Sequence, residues 1–328
     1  MNVTILGAGS WGSALSLVLS HNQNCCIDLY HYNNYYDSHS AFKYLDNIAI
    51  PKNVKITSSL ASVYSSDVVF IALPTEFISL TLGELSINTI NSKTVWVNCS
   101  KGFDFNSNER FSTALINQFY IDQNNFVVLS GPTHAEEVAQ KIPTAIVASS
   151  ISKNRSDLIQ KLLSNNYFRV YTNPDIIGVE IGGACKNIIS IAGGICIGLG
   201  YGDNTISALI SRGLQEIIRL GMVLGAKQNT FYGLSGLGDL SVTAFGKFSR
   251  NRQLGIKLGQ GLTLKKAESD IKMVIEGINA TKIIYNISKK HKINMPIVEQ
   301  VHSILFNNKN PKLAINELMD RTLKDEMI

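Results

Sequence analysis

Apolar residues follow two rhythms along the chain. In the first half, short apolar runs alternate with longer amphipathic stretches. Residues 3–6 read as a strand, 11–21 as a helix and 26–30 as a second strand; 68–73, 94–98 and 126–130 follow as further strands with helical stretches between several of them. The run Val68-Val69-Phe70-Ile71 is apolar without alternation, the pattern of a strand covered on both faces. Strands alternating with helices imply a doubly wound parallel sheet, which 144–149 and 168–171 would extend. After Asn173-Pro174-Asp175 the apolar spacing becomes helical, interrupted by glycine clusters at 193–202 and 233–238. The expectation is an α/β domain over residues 1–175 and an all-helical domain over 176–328. Segments 31–40 and 307–310 are polar and read as loops.

Composition narrows the class. A length of 328 residues suffices for two cores, and 45 % hydrophobic with 17 % charged residues describes an ordinary globular protein. Residues 1–10 enter a buried strand at once, without the basic start and cleavage site of a signal peptide. The longest apolar run, 188–201, spans about 14 residues and carries several glycines, against the roughly 20 a spanning helix needs. No stable membrane insertion is expected. Five cysteines (Cys25, Cys26, Cys99, Cys185 and Cys196) form no C-x-x-C pair and no ligand cluster with histidine, so no metal is expected. All five sit in apolar sequence surroundings, where a free thiol behaves as a small hydrophobe; a reduced, cytoplasmic setting fits.

Charge is uneven. Residues 1–177 carry 11 basic and 13 acidic groups, and residues 178–328 carry 19 and 12. The second half would therefore attract an anion such as a phosphate, unless its lysines are simply a solvated face. Nucleic acid is not expected, because no dense Lys/Arg stripe with interleaved aromatics occurs.

Gly7-Ala8-Gly9-Ser10-Trp11-Gly12 is a G-x-G-x-x-G that ends a strand and opens a helix. The first glycine makes the turn, the second lets backbone amides approach a pyrophosphate, and the third lets helix and strand pack closely. Phosphates would face the helix N-terminus, where unpaired N–H groups and the macrodipole favour negative charge. The first domain is therefore expected to be Rossmann-like and to bind NAD or NADP. An acid about 20 residues on often selects NAD. Asp28 stands near that distance but within the strand, while His31-Tyr32-Asn33-Asn34 at the strand end offers neither carboxylate nor arginine. The 2′ substituent stays open.

Several side chains could carry chemistry. Lys186 lies in the apolar stretch Gly182-Gly183-Ala184-Cys185-Lys186-Asn187-Ile188-Ile189, where an ammonium is costly to bury. It either snorkels at a helix edge or has its pKa lowered by desolvation and nearby cations, so that it exchanges a proton with a substrate oxygen. Lys101 and the Ser130-Gly131-Pro132-Thr133 segment each follow a strand, at the carboxyl edge where open α/β sheets bind ligands; ordinary loop roles are the alternative. A glycine-rich turn, 233–238, ends at Asp239. Ser249-Arg250-Asn251-Arg252 combines guanidinium forks that match phosphate oxygens with neutral donors. Glu276, in Val274-Ile275-Glu276-Gly277, would by default be a surface carboxylate.

Together the blocks resemble the bacterial NAD(P)-dependent glycerol-3-phosphate dehydrogenases, over nearly the whole chain. They stand in order: GAGSWG at 7–12, KG at 101–102, SGPT at 130–133, NPDIIGVEIGGACKN at 173–187, RG at 212–213, GLSGLGDL at 233–240, SRNR at 249–252 and VIEG at 274–277. The resemblance implies that Gly7, Gly9, Ser10, Trp11 and Gly12 contact the cofactor, that Tyr32 stands where the family often has a basic cofactor contact, and that Ala135, Val274 and Glu276 border the cofactor. It implies that Lys101, Gly131 and Thr133 line the substrate, with Lys101 also near the cofactor. Lys186 matches the family's proton acceptor. Asp239, Ser249, Arg250 and Asn251 would hold the substrate, Arg250 reaching the cofactor as well. Two departures stand out: Tyr32 and Asn33 replace the basic residue after the second strand, and His134 stands where an aromatic such as Phe is usual.

The implied reaction is reversible hydride transfer between NAD(P)H and dihydroxyacetone phosphate, supplying glycerol 3-phosphate for phospholipid synthesis. Lys186 would exchange the proton with the C2 oxygen, meeting the nicotinamide across a cleft joining both halves. Lys101 would polarise that oxygen and lower the pKa of Lys186, and Asp239 would orient Lys186 or a substrate hydroxyl. A homodimer through the helical half is implied by the family. Two other readings are open: a β-hydroxyacid-type dehydrogenase acting on a carboxylate, which the SRNR block disfavours, and a nucleotide sensor without turnover, which would not need Lys101, Lys186 and Asp239 together.

Overall fold

The computed structural model describes residues 1–33, 41–45, 48–86, 89–104, 106–246, 249–271, 274–323 and 325–326. The chain divides into two compact units, one comprising Met1–Gly183 with Gly225–Asp239 and the other Ala184–Leu224 with Leu240–Ile328.

The first unit is built on an eight-stranded sheet. Its strands are β1 (Asn2–Leu6), β2 (Cys26–Tyr30), β3 (Val54–Thr57), β4 (Val68–Ile71), β5 (Val95–Asn98), β6 (Phe126–Ser130), β7 (Thr144–Ser149) and β8 (Phe168–Asn173). They lie in the order β3-β2-β1-β4-β5-β6-β7-β8. The order reverses beside β1, which pairs with both β2 and β4 in parallel. Helices α1 (Ser10–Ser20), α2 (Thr75–Gly83), α3 (Phe111–Phe119), α4 (Ala135–Ala139) and α5 (Lys153–Leu163) link successive strands.

Alternate strand residues feed two cores. Val3, Ile5, Val68, Phe70, Val95, Val97, Val127 and Leu129 pack on one side with Leu15, Val18 and Leu19 of α1 and Ile159, Leu162 and Leu163 of α5. Leu6, Val69, Ile71, Trp96, Phe126 and Val128 pack on the other with Ile78 and Leu82 of α2 and Phe111 and Leu115 of α3. Burial on both faces explains why β4 is apolar without alternation, since every residue of it enters one core or the other.

The sheet is mostly rather than wholly parallel: β7 runs antiparallel to β6. The link between them, residues 131–143, carries only the five-residue α4, and the chain turns back beside β6; α5 then restores a parallel crossover to β8. The short strand β3, absent from the sequence reading, is an edge strand in which only Val54 is buried.

The remaining helices are α6 (Ile176–Gly198), α7 (Asp203–Val223), α8 (Asp239–Phe245), α9 (Arg250–Gly259), α10 (Leu264–Ile271), α11 (Glu276–Lys290), α12 (Pro296–Phe306) and α13 (Pro311–Met319). Helical structure thus begins at Ile176, whereas the compact units part at Gly183 and the segment Gly225–Asp239 belongs to the sheet unit. Secondary structure and compactness mark different boundaries.

The glycines of 193–198 do not interrupt helix α6, which runs through them to Gly198. They serve packing instead. A Cβ on Gly194 would lie 2.2 Å from the Arg252 carbonyl oxygen, and one on Gly255 would lie 2.1 Å from that of Ile191. Helices α6 and α9 touch backbone to backbone there, an approach that any side chain would prevent. Helix α6 also has the length and hydropathy of a membrane-crossing helix among the described residues, but 89 % of the relevant window is buried inside the protein. Its apolarity is accounted for by core packing.

All five thiols are unpaired, but Cys26 is exposed, unlike the other four; it opens β2 with its side chain outside both cores. The chain between α12 and α13, residues 307–310, lacks regular structure as expected, while the anticipated loop at 31–40 lies outside the described residues from 34 on.

Candidate active site

In the first unit, the turn between β1 and α1 is made by backbone geometry. Gly7 has φ 114°, a left-handed value that favours glycine. A Cβ on Gly12 would sit 1.8 Å from the Gly7 carbonyl oxygen, so only glycine lets α1 start so close to β1. Beside Gly9 there is nothing within 4 Å of an added Cβ, and no side chain caps α1. The first-turn amides thus keep the positive helix end for an anion. This open, uncapped turn fits the pyrophosphate of NAD(P). Ser10 and Trp11 are half-buried in that first turn. The Trp11 indole bonds to the Cys99 thiol, which burial pushes far up and which the indole and the Lys101 ammonium only partly offset. Tyr32, just past β2, is 78 % exposed and stacks on His31 at 5.0 Å.

Beyond the carboxyl ends of β5 and β6, four predicted residues come together. The Lys101 ammonium donates to the Gly131 carbonyl oxygen at 2.8 Å and to Asp239 Oδ2 at 2.6 Å. The Thr133 hydroxyl donates to the same carbonyl at 3.2 Å. Asp239 is fully buried while Lys101 keeps partial exposure, so the pair joins a buried acid to a base with one side open. The turn before Asp239 is held by Asp175, whose carboxylate accepts from the Lys227 amide at 2.8 Å and the Thr230 hydroxyl at 2.7 Å. Ala135 is buried in the first turn of α4, and His134 is that helix's N-cap.

In the second unit, Lys186 is buried on α6 and donates to the Thr243 hydroxyl of α8 at 2.8 Å. It is enclosed, not snorkelling at a helix edge. One turn on, Ser190 donates to the Thr243 carbonyl oxygen and shares a 2.9 Å hydrogen bond with Ser249. Ser249 is the N-cap of α9, its hydroxyl accepting from the Arg252 amide. Asn251 donates to Asn187 Oδ1 and accepts from the Gly277 amide, each at 3.0 Å. Arg250 donates to the Val274 carbonyl oxygen at 2.7 Å. Glu276 opens α11 one residue before Gly277. The start of α9 is therefore laced to α6 and to the start of α11, which brings Ser249, Arg250, Asn251, Val274 and Glu276 into one neighbourhood.

Sequence reasoning had not singled out Thr243, Asn187 or Ser190, although all three fix predicted residues. A signal was present for two of them. Helix α6 has four polar side chains longer than glycine, Glu180, Lys186, Asn187 and Ser190, and burial requires each to have a partner. Glu180 finds Arg110 and Ser112. Thr243 had no local signal, because it gains its meaning only through a residue 57 positions away.

Two family models match, for the N-terminal part of NAD-dependent glycerol-3-phosphate dehydrogenase at residues 2–156 and for its C-terminal part at 175–316. The chain is 45 % identical to a glycerol-3-phosphate dehydrogenase (NAD(P)+) of Bacillus subtilis (strain 168), over 99 % of this chain and 96 % of that protein. A solved glycerol-3-phosphate dehydrogenase from Coxiella burnetii superposes with a TM-score of 0.91 at 36 % identity, covering 98 % of this chain and 99 % of that one. The Saccharomyces cerevisiae glycerol-3-phosphate dehydrogenase shares the fold, with a TM-score of 0.85 at 23 % identity, over 98 % of this chain and 99 % of that chain. Matched along nearly its whole length by both halves of one family, the chain belongs to the NAD-dependent glycerol-3-phosphate dehydrogenases.

Proposed function

We propose that this protein catalyses reversible hydride transfer between NAD(P)H and dihydroxyacetone phosphate, giving glycerol 3-phosphate. The observation that carries the reading is Lys101 pinned by Asp239 and Gly131 at the carboxyl edge of the sheet whose first strand ends in the glycine turn. Ligands of open α/β sheets bind at that edge.

When bound, NAD(P)H supplies the hydride for the substrate's C2 carbonyl carbon. Lys186, as ammonium, gives a proton to the C2 oxygen; in the oxidising direction the neutral amine takes it back. An ammonium has three N–H groups, so Lys101, after serving Gly131 and Asp239, has one left to polarise that oxygen. Arg250, Ser249 and Asn251 hold the phosphate, helped by the positive end of α9. The basic bias of residues 178–328 supports this assignment. Gly7, Gly9, Ser10, Trp11, Gly12, Tyr32, Ala135, Val274 and Glu276 serve the cofactor.

The protein works as a cytoplasmic homodimer through its helical half and supplies glycerol 3-phosphate for phospholipid synthesis. Unpaired thiols support a reducing compartment, and Met222 and Val223, exposed side by side at the end of α7, support a covered face there. The test is a nicotinamide-absorbance assay with dihydroxyacetone phosphate and with 2- and 3-hydroxy acids, each with NADH or NAD+ and with NADPH or NADP+. Turnover of the phosphate ester is the expected result; turnover of hydroxy acids alone would overturn the proposal.

A further inference from the structure

Lys101 reaches its two acceptors from a loop that is itself built to a fixed shape. Asn98, fully buried at the end of β5, turns its carboxamide on Ser100. Its Oδ1 accepts from the Ser100 amide at 3.1 Å, and its Nδ2 donates to the Ser100 carbonyl oxygen at 3.2 Å. A carboxamide carries a donor and an acceptor side by side, so the turn before Lys101 closes without the Ser100 side chain. That leaves the Ser100 hydroxyl for another task.

It donates outside its own loop, to the Leu73 carbonyl oxygen at 2.6 Å, with the Ile71 carbonyl oxygen more distant at 3.4 Å. The backbone bond from the Cys99 amide to the Ile71 carbonyl oxygen comes just before it, so Ser100 takes over where the pairing of β4 and β5 gives out. Residues 72–73, which leave β4, also lie against the glycine turn. A Cβ on Gly7 would sit 2.6 Å from the Ala72 carbonyl oxygen and 3.2 Å from the Leu73 nitrogen, and one on Gly12 would sit 3.4 Å from the Ala72 Cβ. One short segment therefore touches both the turn that fits the pyrophosphate and the loop that carries Lys101. The Ser100 hydroxyl fastens the second of these contacts.

We infer that Ser100 is a positioning residue: by tying the Lys101 loop to Leu73, its hydroxyl sets the Lys101 ammonium at a fixed distance from the cofactor turn. The inference rests on the dehydrogenase reading above, in which the substrate's C2 oxygen meets Lys101 while its C2 carbon meets the hydride donor. One spacing then governs both contacts. Reacting atoms must come within about 3–3.5 Å, and a misplacement of about 1 Å costs about 10²-fold in rate. A loosened loop would still let the cofactor bind but would present the carbonyl poorly.

The test is steady-state turnover of dihydroxyacetone phosphate with NADH or NADPH, with thermal melts to establish that each variant is folded. In Ser100→Ala, kcat falls about tenfold, the scale of one neutral hydrogen bond. The KM for the cofactor stays within about twofold, because the glycine turn is untouched. Ser100→Thr, which keeps the hydroxyl, holds kcat within about threefold of the unaltered enzyme. A further comparison adds Ser100→Ala to Lys101→Ala. With the positioned ammonium gone, the second change lowers kcat by less than about twofold more. A full further fall in that background, a loss in Ser100→Thr as large as in Ser100→Ala, or no loss in Ser100→Ala overturns the inference while leaving the dehydrogenase reading standing. Failure of the unaltered enzyme to reduce dihydroxyacetone phosphate overturns both.

Discussion

In the sheet unit, two buried carboxylates face cations: Asp239 holds Lys101, and Glu180 holds Arg110. In the helical unit, Glu216 of α7 is also buried but spends its oxygens on the amides of Ile297 and Val298 at the start of α12. At Glu216 burial outweighs those two bonds and the Arg219 guanidinium and pushes the carboxyl up to about 7. The lesson is that a buried acid facing a full charge is available to organise a neighbouring base, as Asp239 does for Lys101. Glu216, facing amides, acts as a helix cap whose worth depends on pH.

The larger consequence of this difference falls on Asp239. Asp239→Ala removes one partner of the Lys101 pair, a change that costs about 3–5 kcal/mol when both groups are buried. Lys101 keeps partial exposure and the Gly131 carbonyl, so a loss of about 2–3 kcal/mol is expected by denaturant unfolding. Turnover should fall with it, since Lys101 loses its anchor. Unchanged stability would show that the pair does not hold Lys101 in place.

A smaller effect is expected at Glu216. Its folded pKa lies above the ordinary value of 4.5, so its contribution is fully present below 4.5 and is lost as pH rises towards 7. Relative to Glu216→Gln, which has no such titration, the unaltered protein should lose stability across that window by no more than about 1.4 kcal/mol per pH unit. Thermal unfolding of both proteins at several pH values checks this. Parallel curves would mean that the amides and Arg219 hold the carboxyl at its ordinary value.

Local features were legible in the sequence and long-range ones were not. The strands at 26–30, 126–130 and 144–149 stand where their apolar runs placed them, because most of their positions are buried. The glycine turn was legible because its geometry depends on residues within six positions of one another. Strand β3 was missed because an edge strand of four residues with exposed Lys55 looks like a loop. The direction of β7 was hidden because apolar spacing marks where a strand lies, not which way it pairs. The glycines of α6 read as a break because a lone sequence cannot show the facing glycines of α9. Thr243 was hidden for the same reason: its meaning lies in a distant neighbour.

The proposed mechanism turns on proton transfer by Lys186. Its most direct test is the steady-state turnover of Lys186→Ala with dihydroxyacetone phosphate and NADH or NADPH, alongside a thermal melt to establish folding. A folded protein whose kcat falls by about 10² or more is expected, the scale of a lost general acid. A folded Lys186→Ala variant with near-normal kcat would contradict it.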